Sequence, residues 1–179
     1  MKNPINPNTS RILAIAPSTR GFGFAVLEGE STLVDWGVKA VTGDKNKHCL
    51  AKLKELLAHY QPHVLVLEDH SSRRSARIRA LHSRMVNTAT QHPVKVRLLS
   101  RERVYQAFDV GEKGTKHALA ELLAARFPQE LGLRLPLKRR PWTSEDYRMG
   151  IFDAVALGLA PSLLKQQRTK KTLDTDSAC

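Results

Sequence analysis

Cysteines and long apolar runs are scarce in this chain of 179 residues. The two cysteines, Cys49 and Cys179, belong to no CxxC or Cys/His cluster, which argues against a zinc site and indicates a reduced, cytoplasmic protein. No apolar run approaches the roughly 20 residues that a membrane helix needs. Residues 1–10 also lack the apolar stretch of a signal peptide. We therefore expect no membrane-spanning segment.

Acidic residues are also few compared with basic ones. The chain has 17 Asp and Glu against 29 Lys and Arg, which gives a formal net charge of +12. Such a charge favours a polyanionic partner, with nucleic acid as the first expectation and an anionic membrane surface as the second. Hydrophobic residues make up 41% of the chain, enough for the core of one domain.

The order of patterned segments predicts one α/β domain with helices on both faces of a mixed sheet. Short turns join the first three apolar segments, which predicts an antiparallel meander. Helical and strand patterns then alternate until a long helix closes the domain. We expect residues 1–10 to be a flexible lead-in, 11–164 the domain and 165–179 a flexible basic tail. The predicted strands are 11–16, 22–27, 32–41, 64–67 and 94–99, and the predicted helices are 45–60, 75–90, 100–108, 115–127 and 144–164.

Four segments resemble the motifs of RuvC Holliday junction resolvases, in the same order along the chain. Residues 12–27 (ILAIAPSTRGFGFAVL) resemble the first motif, a strand ending in Asp-Pro-Gly-Ser-Arg before a second strand. Residues 64–69 (VLVLED) resemble the second, a strand ending in a catalytic Glu. Residues 111–127 resemble the glycine-lysine turn and its helix, and residues 153–160 (DAVALGLA) resemble the last motif. The resemblance implies an RNase H-like fold over residues 11–164.

The same resemblance implies a metal-dependent endonuclease that cuts branched DNA as a homodimer, in DNA recombination and repair. Mg²⁺ or Mn²⁺ would be the cofactor, because two ions about 4 Å apart can activate water and stabilise the leaving oxygen. Glu68 and Asp153 match the catalytic, metal-binding carboxylates. Asp69 is a further candidate ligand, although side-chain alternation turns it away from Glu68. Asp146, two helical turns before Asp153, either reaches the site or caps the helix.

Two positions depart from the motifs. Ala16 stands where the family has its first catalytic Asp, the ligand expected to touch both ions, and a methyl group cannot hold a metal. Gly150 stands one helical turn before Asp153, where the family usually has Asp or His. Two explanations of Ala16 stay open. One is a deliberate substitution that traps a nuclease on its substrate. The other is natural loss of catalysis with binding retained, which Gly150 favours somewhat.

Basic residues beside these motifs predict a nucleic-acid-binding surface, because Lys and Arg contacts to phosphate supply most nonspecific affinity. One group of basic residues follows Glu68. A second lies at the glycine turn, where a helix begins and its N-terminus attracts phosphate. A third lies in the loop before Trp142, which is a candidate for base stacking. The predicted contacts are Arg20, Arg73, Arg74, Arg77, Lys113, Lys116, Arg139 and Arg140.

Three functions remain for comparison. The leading one is a resolvase-type endonuclease, inactive or weak with this sequence because of Ala16. The second is a non-catalytic nucleic-acid-binding protein on the same fold, indicated by Ala16 together with Gly150. The third is an ATP-binding protein of the actin and sugar-kinase type, which shares the strand–turn–strand start. Those proteins need two such domains, and this chain is too short for both.

Overall fold

The computed structural model describes residues 10–29, 32–69, 75–111 and 114–176, with side chains described up to residue 170. Three of the predicted basic contacts, Arg73, Arg74 and Lys113, lie outside the described residues.

A mixed sheet of five strands organises the chain. The first three strands are β1 (Arg11–Ser18), β2 (Gly21–Glu28) and β3 (Thr32–Ala40), and they form the predicted antiparallel meander. Strands β4 (Val64–Glu68) and β5 (Lys95–Leu99) run parallel to β1, and each is reached through a helix, as a parallel connection requires. The strand order is β3-β2-β1-β4-β5. The predicted α/β fold class is confirmed.

Side-chain caps define where most of the helices begin. The side chains of Asp44, Ser75, Ser100 and Thr115 each accept a hydrogen bond from a backbone N–H in the first turn of the following helix. The helices are α1 (Lys45–Tyr60), α2 (Ala76–Thr90), α3 (Arg101–Ala107), α4 (Lys116–Arg126) and α5 (Met149–Asp176), with a 3₁₀ turn at Gly132–Arg134.

The two faces of the sheet are packed differently. Because successive side chains of a strand point to opposite faces, Leu13 and Ile15 of β1 lie in the core formed with α1 and α2. Ala14 and Ala16 lie in the other core, under α4 and α5. In the second half of β1, side chains are therefore large on the first face and small on the second.

Small residues allow helix α5 to cross the sheet at close range. A Cβ atom on Gly23 would lie 1.9 Å from the carbonyl oxygen of Gly150, and one on Gly158 would lie 2.2 Å from Cδ1 of Leu27. The first distance is to backbone, so a larger residue at position 23 would push the helix away. The second is to the end of the Leu27 side chain, which would have to move aside. This close contact brings Asp153, one turn into α5, towards the carboxyl ends of β1 and β4.

The predicted bounds of the closing helix are wrong at both ends. Helix α5 begins at Met149 rather than 144, because Asp146 bonds locally to the N–H and guanidinium of Arg148 and its carbonyl accepts from Met149. The helix also continues to Asp176, through residues predicted as a flexible tail. Lys, Gln and Arg in that segment are good helix formers, and the docked first half of α5 supplies the nucleus. Among the described helices, none has the length and apolarity needed to cross a membrane.

Candidate nucleic-acid cleft

A cleft of about 620 Å³ opens where β1 ends, between the β1–β2 turn and the starts of α4 and α5. Five of the sequence-predicted site residues line it, namely Ala16, Arg20, Lys116, Asp146 and Asp153. A smaller cavity of about 20 Å³ lies next to it and is lined by both Glu68 and Asp153. The two cavities share Asp153, so the last residue of β4 and the first turns of α5 belong to one site.

Asp153 forms an ion pair with Lys116 inside the cleft. The distance from Lys116 Nζ to Asp153 Oδ2 is 2.8 Å, and the same Nζ lies 2.8 Å from Glu145 Oε1. Burial raises the pKa of Asp153 above its usual value, and the charges of Glu68 and Glu145 also raise it, while Lys116 opposes them. Burial alone would lower the pKa of Lys116, but Asp153 and Glu145 outweigh it and hold that pKa above its usual value.

Glu68 is held at the end of its strand by a different cation. The residue is 8% exposed, and Nε of Arg101 lies 3.6 Å from Glu68 Oε1. Arg101 was not among the predicted site residues. The signal for it is indirect: Ser100 caps α3, so Arg101 begins a helix directly after β5, where Leu99 pairs with Glu68.

The two other candidate carboxylates occupy different places. Asp69 is exposed, its N–H donates to the carbonyl of Leu99, and among the described residues the walls of the two cavities do not include it. Asp146 does line the cleft, but its Oδ2 lies 2.8 Å from Nη2 of Arg148. The hydrogen bond from Arg148 holds the pKa of Asp146 below its usual value. Because α5 begins three residues later, Asp146 is not on the helical face of Asp153.

Ala16 and Gly150 both line the cleft, and Gly23 connects them. Ala16 is 2% exposed and pairs with Gly23 in β2. Gly23 is the residue on which the backbone of Gly150 rests. A Cβ atom on Gly150 itself would lie 3.5 Å from Gly23, an ordinary contact, so position 150 has room for a side chain. Small size is thus required at position 23 and not at position 150.

The donor set does not fit the two-ion centre that the family resemblance implies. Within the described ranges, no group of three or more His, Cys, Asp and Glu side chains is arranged to hold a metal ion. Glu68 and Asp153 supply two carboxylates, each already paired with a cation, and Ala16 contributes a methyl group at the position where the resemblance implies a third carboxylate. Mg²⁺ prefers hard oxygen ligands, so a methyl group leaves the centre incomplete.

The described basic residues fall into two groups. Arg77 is used internally: its guanidinium donates to the carbonyls of Ser18 and Thr19 at 3.0 and 3.1 Å and so clamps the β1–β2 turn. Lys116 is likewise bound to carboxylates. Arg20 lines the cleft and is exposed, and Arg139 and Arg140 are exposed in the loop before α5.

No protein-family model and no curated protein sequence matches the chain. Solved structures do match. RuvC of Thermus thermophilus in complex with a Holliday junction substrate superposes with a TM-score of 0.64 at 15% identity, covering 88% of this chain and 96% of RuvC. The yeast mitochondrial Holliday junction resolvase gives a TM-score of 0.58 at 17% identity, covering 93% and 85% of the two chains. The chain therefore has the RNase H-like fold of RuvC, as its four motifs predicted.

Proposed function

We propose that this protein binds branched DNA in a RuvC-type cleft and that its endonuclease activity is weak or absent because residue 16 is alanine. The observation that carries the proposal is the cleft itself. It lies at the carboxyl ends of β1 and β4 in a chain of net charge +12, with Glu68 and Asp153 in neighbouring walls. The structures that share the fold include a RuvC bound to a Holliday junction substrate and a fowlpox virus resolvase bound to Holliday junction DNA.

Binding would use Arg20 in the cleft and the exposed loop before α5. Arg20, Arg139 and Arg140 are exposed cations that can contact phosphate. The backbone N–H and hydroxyl of Thr143 both bond to the carbonyl of Arg140, and this turn presents Trp142 with 78% of its surface exposed. An exposed Trp beside cations can stack on an unpaired base, such as those at a branch point.

The carboxylates and their paired cations would serve two tasks, binding phosphate and holding a metal ion. Lys116 places a positive charge beside Asp153 in the cleft, where it can stabilise a phosphate oxygen. Asp153 and Glu68 would be the ligands of a divalent ion if a third carboxylate were present at residue 16, and that ion would supply the activated water of hydrolysis. With Ala16, the first task remains and the second is impaired.

A second candidate is an active Mg²⁺- or Mn²⁺-dependent resolvase that works as a homodimer. It is favoured by the position of Asp153 near Glu68 and Glu145, whose charges add to the larger effect of burial in raising its pKa. Crowded carboxylates repel each other, and divalent cations relieve that repulsion. This candidate requires that two carboxylates suffice.

The test compares the protein with Ala16→Asp and, as a size-matched uncharged control, Ala16→Asn. Each is incubated with a labelled four-way junction, a duplex and a single strand, with Mg²⁺, Mn²⁺ or EDTA. We expect all three proteins to bind the junction and only Ala16→Asp to cut it, in paired nicks that require the metal. Cutting by the unaltered protein would favour the second candidate. Failure of all three to bind any DNA would refute both.

A further inference from the structure

Another concave surface shares no lining residue with the cleft. This surface, here called the basic groove, has a volume of about 380 Å³ and lies between β5, α3 and the second half of α5. Among the described residues that line it, four are cations and none is acidic. Its walls are formed by Arg97, Leu99, Arg103, Pro161, Leu164, Lys165, Arg168 and Thr169.

The cations of the groove come from three separate elements. Arg97 lies on β5, Arg103 on α3 and Lys165 on α5, and all three side chains are exposed. Within the part of the chain whose side chains are described, none of these three forms an ion pair, in contrast to Lys116 in the cleft and Arg101 in the small cavity. Converging like charges without acidic partners are unfavourable unless an anion lies among them.

Helix α5 connects the groove to the cleft along one face. Asp153 lines the cleft, Leu157 the small cavity, and Pro161, Leu164 and Lys165 the groove, at spacings of three or four residues that keep them on one side of a helix. At a rise of 1.5 Å per residue, Asp153 and Lys165 are separated by about 18 Å along the axis. Phosphates follow each other every 3.4 Å along a strand of duplex DNA, so this separation corresponds to roughly five to six base pairs.

The geometry points to a phosphate-backbone site in this groove, which holds a duplex arm of branched DNA five to six base pairs from the nucleotides in the cleft. The inference rests on the proposed function, because it assumes that the branch point occupies the cleft. No aromatic side chain lines the groove, so the contacts are to phosphates and are independent of base sequence. The floor of Leu99, Pro161 and Leu164 carries no acid that would repel the backbone.

The experiment removes three charges from the groove and compares the loss with an equal loss elsewhere. The groove variant is Arg97→Gln/Arg103→Gln/Lys165→Gln in the full chain. The matched control is Lys47→Gln/Lys54→Gln/Arg134→Gln, three exposed cations on α1 and the 3₁₀ turn. Circular dichroism melts check that both variants fold. Affinity for a four-way junction is measured against salt concentration, with normal arms and with neutral methylphosphonates about five to six phosphates from the crossover.

For the groove variant, the slope of log K against log salt should be smaller by about 2 to 3 than for the unaltered protein, because about one counterion is released per phosphate contact. The control variant should change the slope by less than about one. Methylphosphonates should weaken binding several-fold for the unaltered protein and leave the groove variant unchanged.

Equal slopes for the groove and control variants would overturn the assignment of a phosphate site to the groove. The proposed function would still stand, because the junction would still be bound. A polyglutamate peptide serves as a second probe. If the groove variant bound this peptide more weakly than the unaltered protein did, but bound the junction equally well, the phosphate-backbone site would be overturned and an acidic protein partner indicated. Absence of any DNA binding by the unaltered protein would instead refute the proposed function, and the groove with it.

Discussion

The two ends of strand β1 use charged residues in opposite ways. At its start, Arg11 is 9% exposed, and its Nε and Nη2 donate to Oε1 of Glu28, which is 6% exposed, at 3.1 and 2.7 Å. The Arg11 guanidinium also donates to the carbonyl of Tyr60, and the Tyr60 hydroxyl donates to Asp35. At the other end, β1 opens into the cleft, where Ala16 meets charges contributed by α4 and α5.

The contrast separates structural charges from functional ones. The charges at the start of β1 are buried and satisfied within the protein, so a ligand has no access to them. The charges at its end border a solvent-filled cleft, and Lys116 there is shared between two carboxylates that a phosphate could replace. A buried ion pair is weak evidence for stability as a whole, but breaking it leaves an uncompensated charge.

The largest expected effect is on stability, from breaking the buried pair. Arg11→Ala should lower the free energy of unfolding by about 3 to 5 kcal/mol, because Glu28 is then buried without its partner. Urea titration followed by circular dichroism measures the change. Lys52→Ala, which breaks the exposed pair with Glu55 at 44% and 61% exposure, is the control and should cost less than about 1 kcal/mol. Equal losses for the two variants would remove the distinction between the buried network and the surface.

A smaller effect is expected at the cleft end. Ala16→Asp adds a carboxylate at a buried position near Glu68 and Asp153, which should lower the free energy of unfolding by about 1 to 3 kcal/mol in EDTA. Mg²⁺ should restore part of the loss, because an ion that binds only the folded state stabilises it. Thermal melts with and without Mg²⁺ measure this. The unaltered protein and Ala16→Asn should show no such recovery. The same Tm for Ala16→Asp in Mg²⁺ and EDTA would count against a cation site.

The smallest effect concerns His82, which lies on helix α2. Burial lowers the pKa of His82, although the charges of Asp69 and Glu68 oppose the shift. The unfolded chain therefore takes up this proton at a higher pH than the folded chain does. Stability from this residue is present above the usual histidine pKa of about 6.5 and is lost as the pH falls towards the lowered value. Urea midpoints between about pH 5 and pH 8 should vary less in His82→Gln. An unchanged pH profile would show that His82 is not the group responsible.

The order and type of the helices and strands could be predicted because each is marked by a local sequence pattern. Ser75, Ser100 and Thr115 cap helices within a residue of their predicted starts, and the continuous apolar run of residues 64–67 is a strand, β4, inside the sheet between β1 and β5. Helix α5 is the exception, because its start depends on how Asp146 and Arg148 bond to each other and to the backbone. Nothing in the local spacing of residues 141–148 distinguishes that turn from a first helical turn.

The location of the candidate carboxylates could be predicted better than the cations that pair with them. Glu68 and Asp153 lie in adjacent walls, as their motifs implied, and Ala16 and Gly150 lie beside them. Arg101 was missed because it follows β5, a strand that no motif marks. Arg77 was predicted to contact DNA, yet its guanidinium is bound to the β1–β2 turn. Pairings between residues far apart in the chain are set by packing of the elements, and no local pattern reports them.

By itself, the sequence determined the RNase H-like order of strands and helices, the excess of positive charge and the absence of a carboxylate at residue 16. Those properties are local or compositional, so they can be found without coordinates. Only the tertiary structure decided which cation neutralises which acid, that Gly23 lets α5 approach the sheet, and that Arg97, Arg103 and Lys165 converge in one groove. These depend on distances between elements that are far apart in the chain, and such distances arise only when the two faces of the sheet are packed.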